Sequence, residues 1–138
     1  MDRGLDTTDT EQMFGVIRSA SDERGAYTPK PSYAAIATFS RAIDELPGQG
    51  VEVIDSSVYR AVFGDEQSQV NVLWSTTDEV VTATVSGPVD VSDEMGVTRT
   101  LTPDTEGKIT LAVSSSPQYH LWRRQRSGSR RGVHLHRR

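Results

Sequence analysis

Cysteine is absent from the 138 residues. That removes disulfides, thiolate metal sites and a cysteine nucleophile, and says little about compartment. Long apolar runs are also absent: nothing approaches the roughly 20 residues of a membrane-spanning helix. The opening Met1-Asp2-Arg3-Gly4-Leu5-Asp6 has no apolar stretch of the kind a signal peptide needs. Neither a signal peptide nor a transmembrane segment is therefore expected in this chain, and localisation stays open. No Gly-x-Ser-x-Gly elbow and no glycine-rich phosphate loop occur. The length suits one ordinary domain and is too short for an eight-stranded α/β barrel, which needs roughly 200 residues or more.

What is present is unevenly charged. The net charge is −4, but residues 1–122 hold all 19 acidic groups against eight basic ones, a net −11. Residues 123–138 hold seven arginines and no acid. The body is acidic and the tail basic, and each needs its own explanation.

Pro29 and Pro31 forbid helix before them, and Pro31 or Ser32 suits a first turn. Ile36, Phe39, Ile43 and Leu46 then fall on one stripe of a helix that Pro47-Gly48 stops. After Gly50 the period changes to two. Val51 to Ile54, Val58 to Phe63, Val70 to Trp74, Val80 to Val85, Val89 to Val91, Thr98 to Leu101, Ile109 to Val113 and Tyr119 to Trp122 read as short strands. The turn signals between them have the spacing of a sandwich.

The expected core face takes Val51, Val53, Tyr59, Ala61, Phe63, Val70, Val72 and Trp74, with Val81, Ala83, Val85, Ile109, Leu111 and Val113. Glu52, Arg60, Asn71, Thr82, Thr84 and Thr110 then face outward. Of the neighbours Leu73 and Trp74, Trp74 is expected inside. Residues 123–138 show no pattern and are expected to be disordered. The fold class is mainly β: an antiparallel β-sandwich preceded by one amphipathic helix. The expected divisions are 1–47, 50–122 and 123–138.

Several motifs, in order, resemble the C-terminal part of a TIM-barrel glycoside hydrolase. Asp6-Thr7-Thr8-Asp9, Glu11 and Phe14-Gly15 are similar to the loop after the last barrel strand. Lys30-Pro31-Ser32-Tyr33-Ala34-Ala35 resembles the start of the final barrel helix. Tyr59 to Phe63 and Val70 to Ser75 resemble the first hairpin of the trailing β domain. Asp93-Glu94-Met95-Gly96 looks like its Asp-x-x-Gly turn, and Ser116-Pro117-Gln118-Tyr119 like its closing strand. The likeness is to retaining xylosidase-, iduronidase- and arabinofuranosidase-like enzymes, which the motifs do not separate.

The resemblance implies that residues 1–47 are a barrel remnant and that 50–122 are a sandwich packing on a catalytic barrel. Retaining enzymes use two carboxyl groups about 5 Å apart. In the resembled enzymes these end the fourth and seventh barrel strands, positions that would precede Met1, so no residue here inherits either role. The arginine-rich tail departs from the pattern and is expected to lie outside the module.

The site expectations are accordingly negative: no catalytic, cofactor-binding or metal residue, and no cofactor. Asp65-Glu66, Asp78-Glu79 and Asp93-Glu94 sit in expected turns, not in a shielded cleft with split pKa values. Glu11 reads as a loop acid. His134-x-His136 lies in the tail, and His120 reads as structural. Trp74, Trp122, Tyr59 and Tyr119 would stack on a sugar if they were exposed in a row, but strand aromatics are more often core. The tail lacks the interleaved aromatics of a nucleic-acid binder. Expected partners are therefore the parent's catalytic barrel and, secondarily, carbohydrate, with nucleic acid and membrane disfavoured. The alternative reading is a non-catalytic carbohydrate-binding or structural module.

Overall fold

The computed structural model describes residues 15–65, 68–123 and 135–137. Its architecture is an antiparallel β-sandwich preceded by one helix, as the periodicities imply. The chain enters through a loop closed on itself: Ile17 bridges Pro29, Arg18 N–H donates to Thr28 O, and Lys30 N–H donates to Val16 O. Helix α1 (Pro31–Ile43) follows, with proline in its first turn. It ends where Asp44 turns to φ +44° and donates its N–H to Ser40 O.

Among the described residues the strands that follow are β1 (Gly48–Val53), β2 (Val58–Gly64), β3 (Ser68–Ser75), β4 (Glu79–Thr84), β5 (Val89–Ser92), β6 (Thr98–Leu101), β7 (Lys108–Val113), β8 (Gln118–Arg123) and β9 (Leu135–Arg137). They form a six-stranded sheet, β1-β2-β3-β8-β5-β6, and a three-stranded sheet, β7-β4-β9. All pairings are antiparallel.

The six-stranded sheet is covered on both faces. One face meets the second sheet: Val58, Leu73, Val89 and Val91 pack with Val81, Ala83, Val85, Ile109, Leu111 and Val113. The other face meets α1: Ala61, Val70, Val72 and Tyr119 pack with Ala42, Leu46, Phe63, Trp74 and Leu121. The alternation expected for β4 and β7 holds, with Thr84 and Thr110 exposed and their neighbours buried.

The single inner face expected for β1 to β3 does not hold. Val51, Ala61, Val72 and Tyr119 do share a face by register, but it is the helix side, and Val51 and Val53 on the edge strand are 65% and 60% exposed. Asn71, expected outward, is buried between the sheets, and Arg60 and Thr82 are half-buried. Leu73 is buried there too, while Trp74 is half-buried on the helix side. The cause is general: when both faces of a sheet are covered, polarity alternation no longer identifies the inner one.

Two more expectations change. The tail is not unstructured throughout: Arg123 ends β8, and Leu135–Arg137 pairs with β4. That pairing covers an edge that β4 would otherwise leave open, and the alternation Val133-His134-Leu135-His136 was its signal. The helix also ends earlier than expected, at Ile43 rather than at Pro47-Gly48. Ala42 and Leu46 pack on the sheet, and Thr38 is the buried residue of α1. Residues 34, 35, 38 and 42 fall on one side of a helix, and Ile36 and Ile43 fall nearly opposite Thr38. Of the larger side chains Tyr33 and Ile36 are exposed, whereas Phe39 meets Phe63 and Tyr119 of the sheet.

Candidate functional site

The carboxylates singled out in the sequence shape turns. Asp65 Oδ1 accepts the Ser68 N–H at 2.9 Å. Asp93 Oδ1 accepts the N–H groups of Met95 and Val97, each at 2.9 Å, and Gly96 closes that turn at φ +87°. Glu79 Oε1 accepts the hydroxyls of Ser57 at 3.1 Å and Thr77 at 3.2 Å, while Asp78 is exposed. Each uses its oxygens to fix backbone or a neighbouring loop, a common use of Asp in turns. Glu11 and Glu66 lie outside the described residues, as does His134. Among the described residues no group of three potential ligands gathers to hold a metal ion.

Of the four aromatics considered as a sugar platform, the structure brings two together. Tyr59 and Trp74, cross-strand partners, stack with centroids 5.5 Å apart and planes 11° from parallel. Tyr119 is buried under the helix, where Phe39 approaches it at 6.2 Å and meets Phe63 edge-on at 5.9 Å. Its hydroxyl pKa is raised, mainly by burial and then by the nearby Glu94. The side chain of Trp122 lies outside the described residues. A row of exposed rings is therefore not formed by Tyr59, Trp74 and Tyr119.

A cleft of about 320 Å³ opens beside the helix C-terminus. Its floor is Ala42, Leu46, Val70 and Leu121, and its polar rim is Asp44, Glu45, Ser68 and Gln69. The two rim acids are exposed, so they do not form the enclosed carboxyl pair that glycoside hydrolysis needs.

An apolar surface is exposed on the helix and beside it. Ile36 is 56% exposed, Tyr33 48%, and Phe39, although ring-packed on one edge, 37%. Val51 and Val53 add exposed apolar area on the edge strand β1. Exposed apolar surface of this kind marks interaction sites. The stripe is legible in the spacing of Ile36, Phe39 and Ile43.

No protein-family model and no curated protein sequence matches the chain. Solved structures do. An endoxylanase of glycoside hydrolase family 30 from Clostridium papyrosolvens superposes with a TM-score of 0.51 at 14% identity, over 70% of this chain and 28% of that one. A glycoside hydrolase family 30 subfamily 8 xylanase from Clostridium acetobutylicum gives 0.49 at 12% identity, over 81% and 31%. The chain thus spans less than a third of the length of either structure.

Proposed function

We propose that this chain corresponds to the C-terminal part of a retaining glycoside hydrolase, a barrel remnant over residues 1–47 with its trailing sandwich over 50–122, and that it serves as a structural accessory domain without catalysis of its own. The observation that carries this reading is the helix. Ala42, with Leu46 just beyond the helix, packs on the sheet and Phe39 meets Phe63 and Tyr119, while Ile36 and Tyr33 stay exposed. A terminal helix between a sandwich and a catalytic barrel needs two packing faces, and α1 has them. The fold shared with part of a family 30 endoxylanase supports the same assignment. The reaction class of the parent is then hydrolysis of O-glycosidic bonds, and the barrel is the partner.

The test has two arms. Purified chain incubated with nitrophenyl xyloside and arabinofuranoside should give no turnover above a heat-killed control. Acid/base assistance alone is worth about 10²–10⁴-fold, and no enclosed carboxyl pair occurs among the described residues. In-frame coding sequence upstream of Met1 should encode an eight-stranded barrel with a carboxylate ending its fourth strand. Turnover abolished by mutating an acid of this chain would overturn the reading.

A carbohydrate-binding role is the second reading, and the half-buried Tyr59–Trp74 stack favours it. Quenching of tryptophan fluorescence by xylo-oligosaccharides, lost in Tyr59→Ala, is the result that would support it.

A further inference from the structure

β8 is the seam of the six-stranded sheet. It is the last strand of that sheet in sequence, yet it lies between β3 and β5, and it alone joins the β1-β2-β3 half to the β5-β6 half. It is bonded to both neighbours only over Tyr119, His120 and Leu121. Tyr119 and Leu121 pack on the helix side. By alternation His120 is the one of the three that points between the sheets, and it is fully enclosed, at 0% exposure.

The surroundings of His120 do not suit a cation. Among the described residues neither ring nitrogen has a hydrogen-bond partner, and Oδ1 of its cross-strand neighbour Asn71 lacks one too. On the same face β5 contributes Val91, and β6 contributes Arg99 in the same row. Gln118 of β8 is neutral and donates to Ala112 O. Arg60 of β2 is cationic and pairs with Glu52 of β1, so that carboxylate is already engaged. The second sheet presents Val81, Ala83, Ile109, Leu111 and Val113. An imidazolium here would be buried without a counter-ion among the described residues and would feel the positive charge of Arg99, a costly arrangement.

We propose that His120 is an acid-sensitive lock on this seam: neutral, it holds β8 between the two halves of the sheet, and protonation releases β8 and parts them before the second sheet opens. Burial, and then the positive charge of Arg99, hold its pKa down at about 4 from the ordinary 6.5. The sign follows. The stabilisation is full above about 6.5, the value in the unfolded chain, and is lost as pH falls toward 4.

The experiment is NMR on the full chain from pH 7.5 to 3.5, following the His120 ring protons and backbone amide exchange, with His120→Leu and His120→Gln alongside. The His120 ring should titrate well below the ordinary range. At pH 4.5, protection corrected for intrinsic rate should fall at least about tenfold in β8 and its partners Asn71 and Val91, and much less in β4 and β7. The variants should lose this differential. If a variant fails to fold, the wild-type titration and exchange map decide alone. A ring midpoint of 6 or above, equal loss across both sheets, or an unchanged differential in a folded variant would overturn the proposal.

Discussion

Leu73 and Trp74, consecutive on β3, are held in different layers: Leu73 is sealed between the two sheets at 1% exposure, and Trp74 stacks on Tyr59 on the helix side. The difference is measurable. Leu73→Ala should cost about 2–5 kcal/mol, the range for a buried leucine whose cavity does not collapse. Trp74→Ala should cost less, since the ring is only half-buried and its stack is worth about 0.5–1.5 kcal/mol beyond area. Urea unfolding of both variants checks the order. A larger loss for Trp74→Ala would restore the single inner face that alternation alone implies.

That pair also shows how much was legible. The strands, their turns and the inward residues of β4 and β7 follow from period-two patterning, because that sheet buries one side of Val81, Ala83, Ile109 and Leu111. The helix start follows from Pro31, but its end at Ile43 comes about a turn before the Pro47-Gly48 stop. What failed is the choice of side for β1 to β3. Asn71 and His120 are polar and read as outward or unremarkable, yet both are buried between the sheets. A polar residue reveals its side only where that side is wet, and the central strands have no wet side. Nothing in the sequence placed β8 between β3 and β5, since such a pairing leaves no local mark. Asp65 and Asp93 accept the backbone N–H groups that such turns present.

Gly64 and Gly50 give a paired test of backbone strain. Both have positive φ, +102° and +131°. A Cβ at Gly64 would meet the backbone oxygen of Ser68 at 2.1 Å, whereas one at Gly50 would meet nothing within 4 Å. Gly50→Ala should carry the conformational penalty alone, roughly 1 kcal/mol or somewhat more. Gly64→Ala should be distinctly worse, because the β2–β3 hairpin must shift to admit it. Thermal unfolding of the two variants should rank them in that order, and equal midpoints would mean the hairpin relaxes freely.

The entry loop has its own titration. Asp22 binds Arg24 at 3.0 Å and Arg18 at 3.4 Å. Its carboxyl pKa falls from 3.8 to about 2, chiefly through the Arg24 side chain and then the Arg24 backbone N–H. A depressed folded pKa contributes stability above the unfolded value, and that contribution is lost as pH falls from about 4 to 2. Arg24→Ala should raise the Asp22 midpoint toward the ordinary value, read from its carboxyl ¹³C shift. A midpoint that does not move would mean that Arg18 and the backbone suffice.

Phe39 and Ile36 of α1 should respond differently to charge. Phe39 meets Phe63 and Tyr119, so Phe39→Asp removes packing within this chain. It should cost at least about 1 kcal/mol, the scale of one aromatic pair, and more if Tyr119 becomes wet. Ile36, although on the same stripe, is 56% exposed, so Ile36→Asp should leave unfolding within about 0.5 kcal/mol of the parent chain, as surface changes usually do. It should also reduce self-association, because it breaks the exposed apolar stripe. Light scattering across a concentration series, with urea unfolding of the same samples, separates the two effects. If Ile36→Asp unfolds the domain while leaving association unchanged, the stripe belongs to this chain's own core, and the reading of α1 as a helix with a second docking face fails with it.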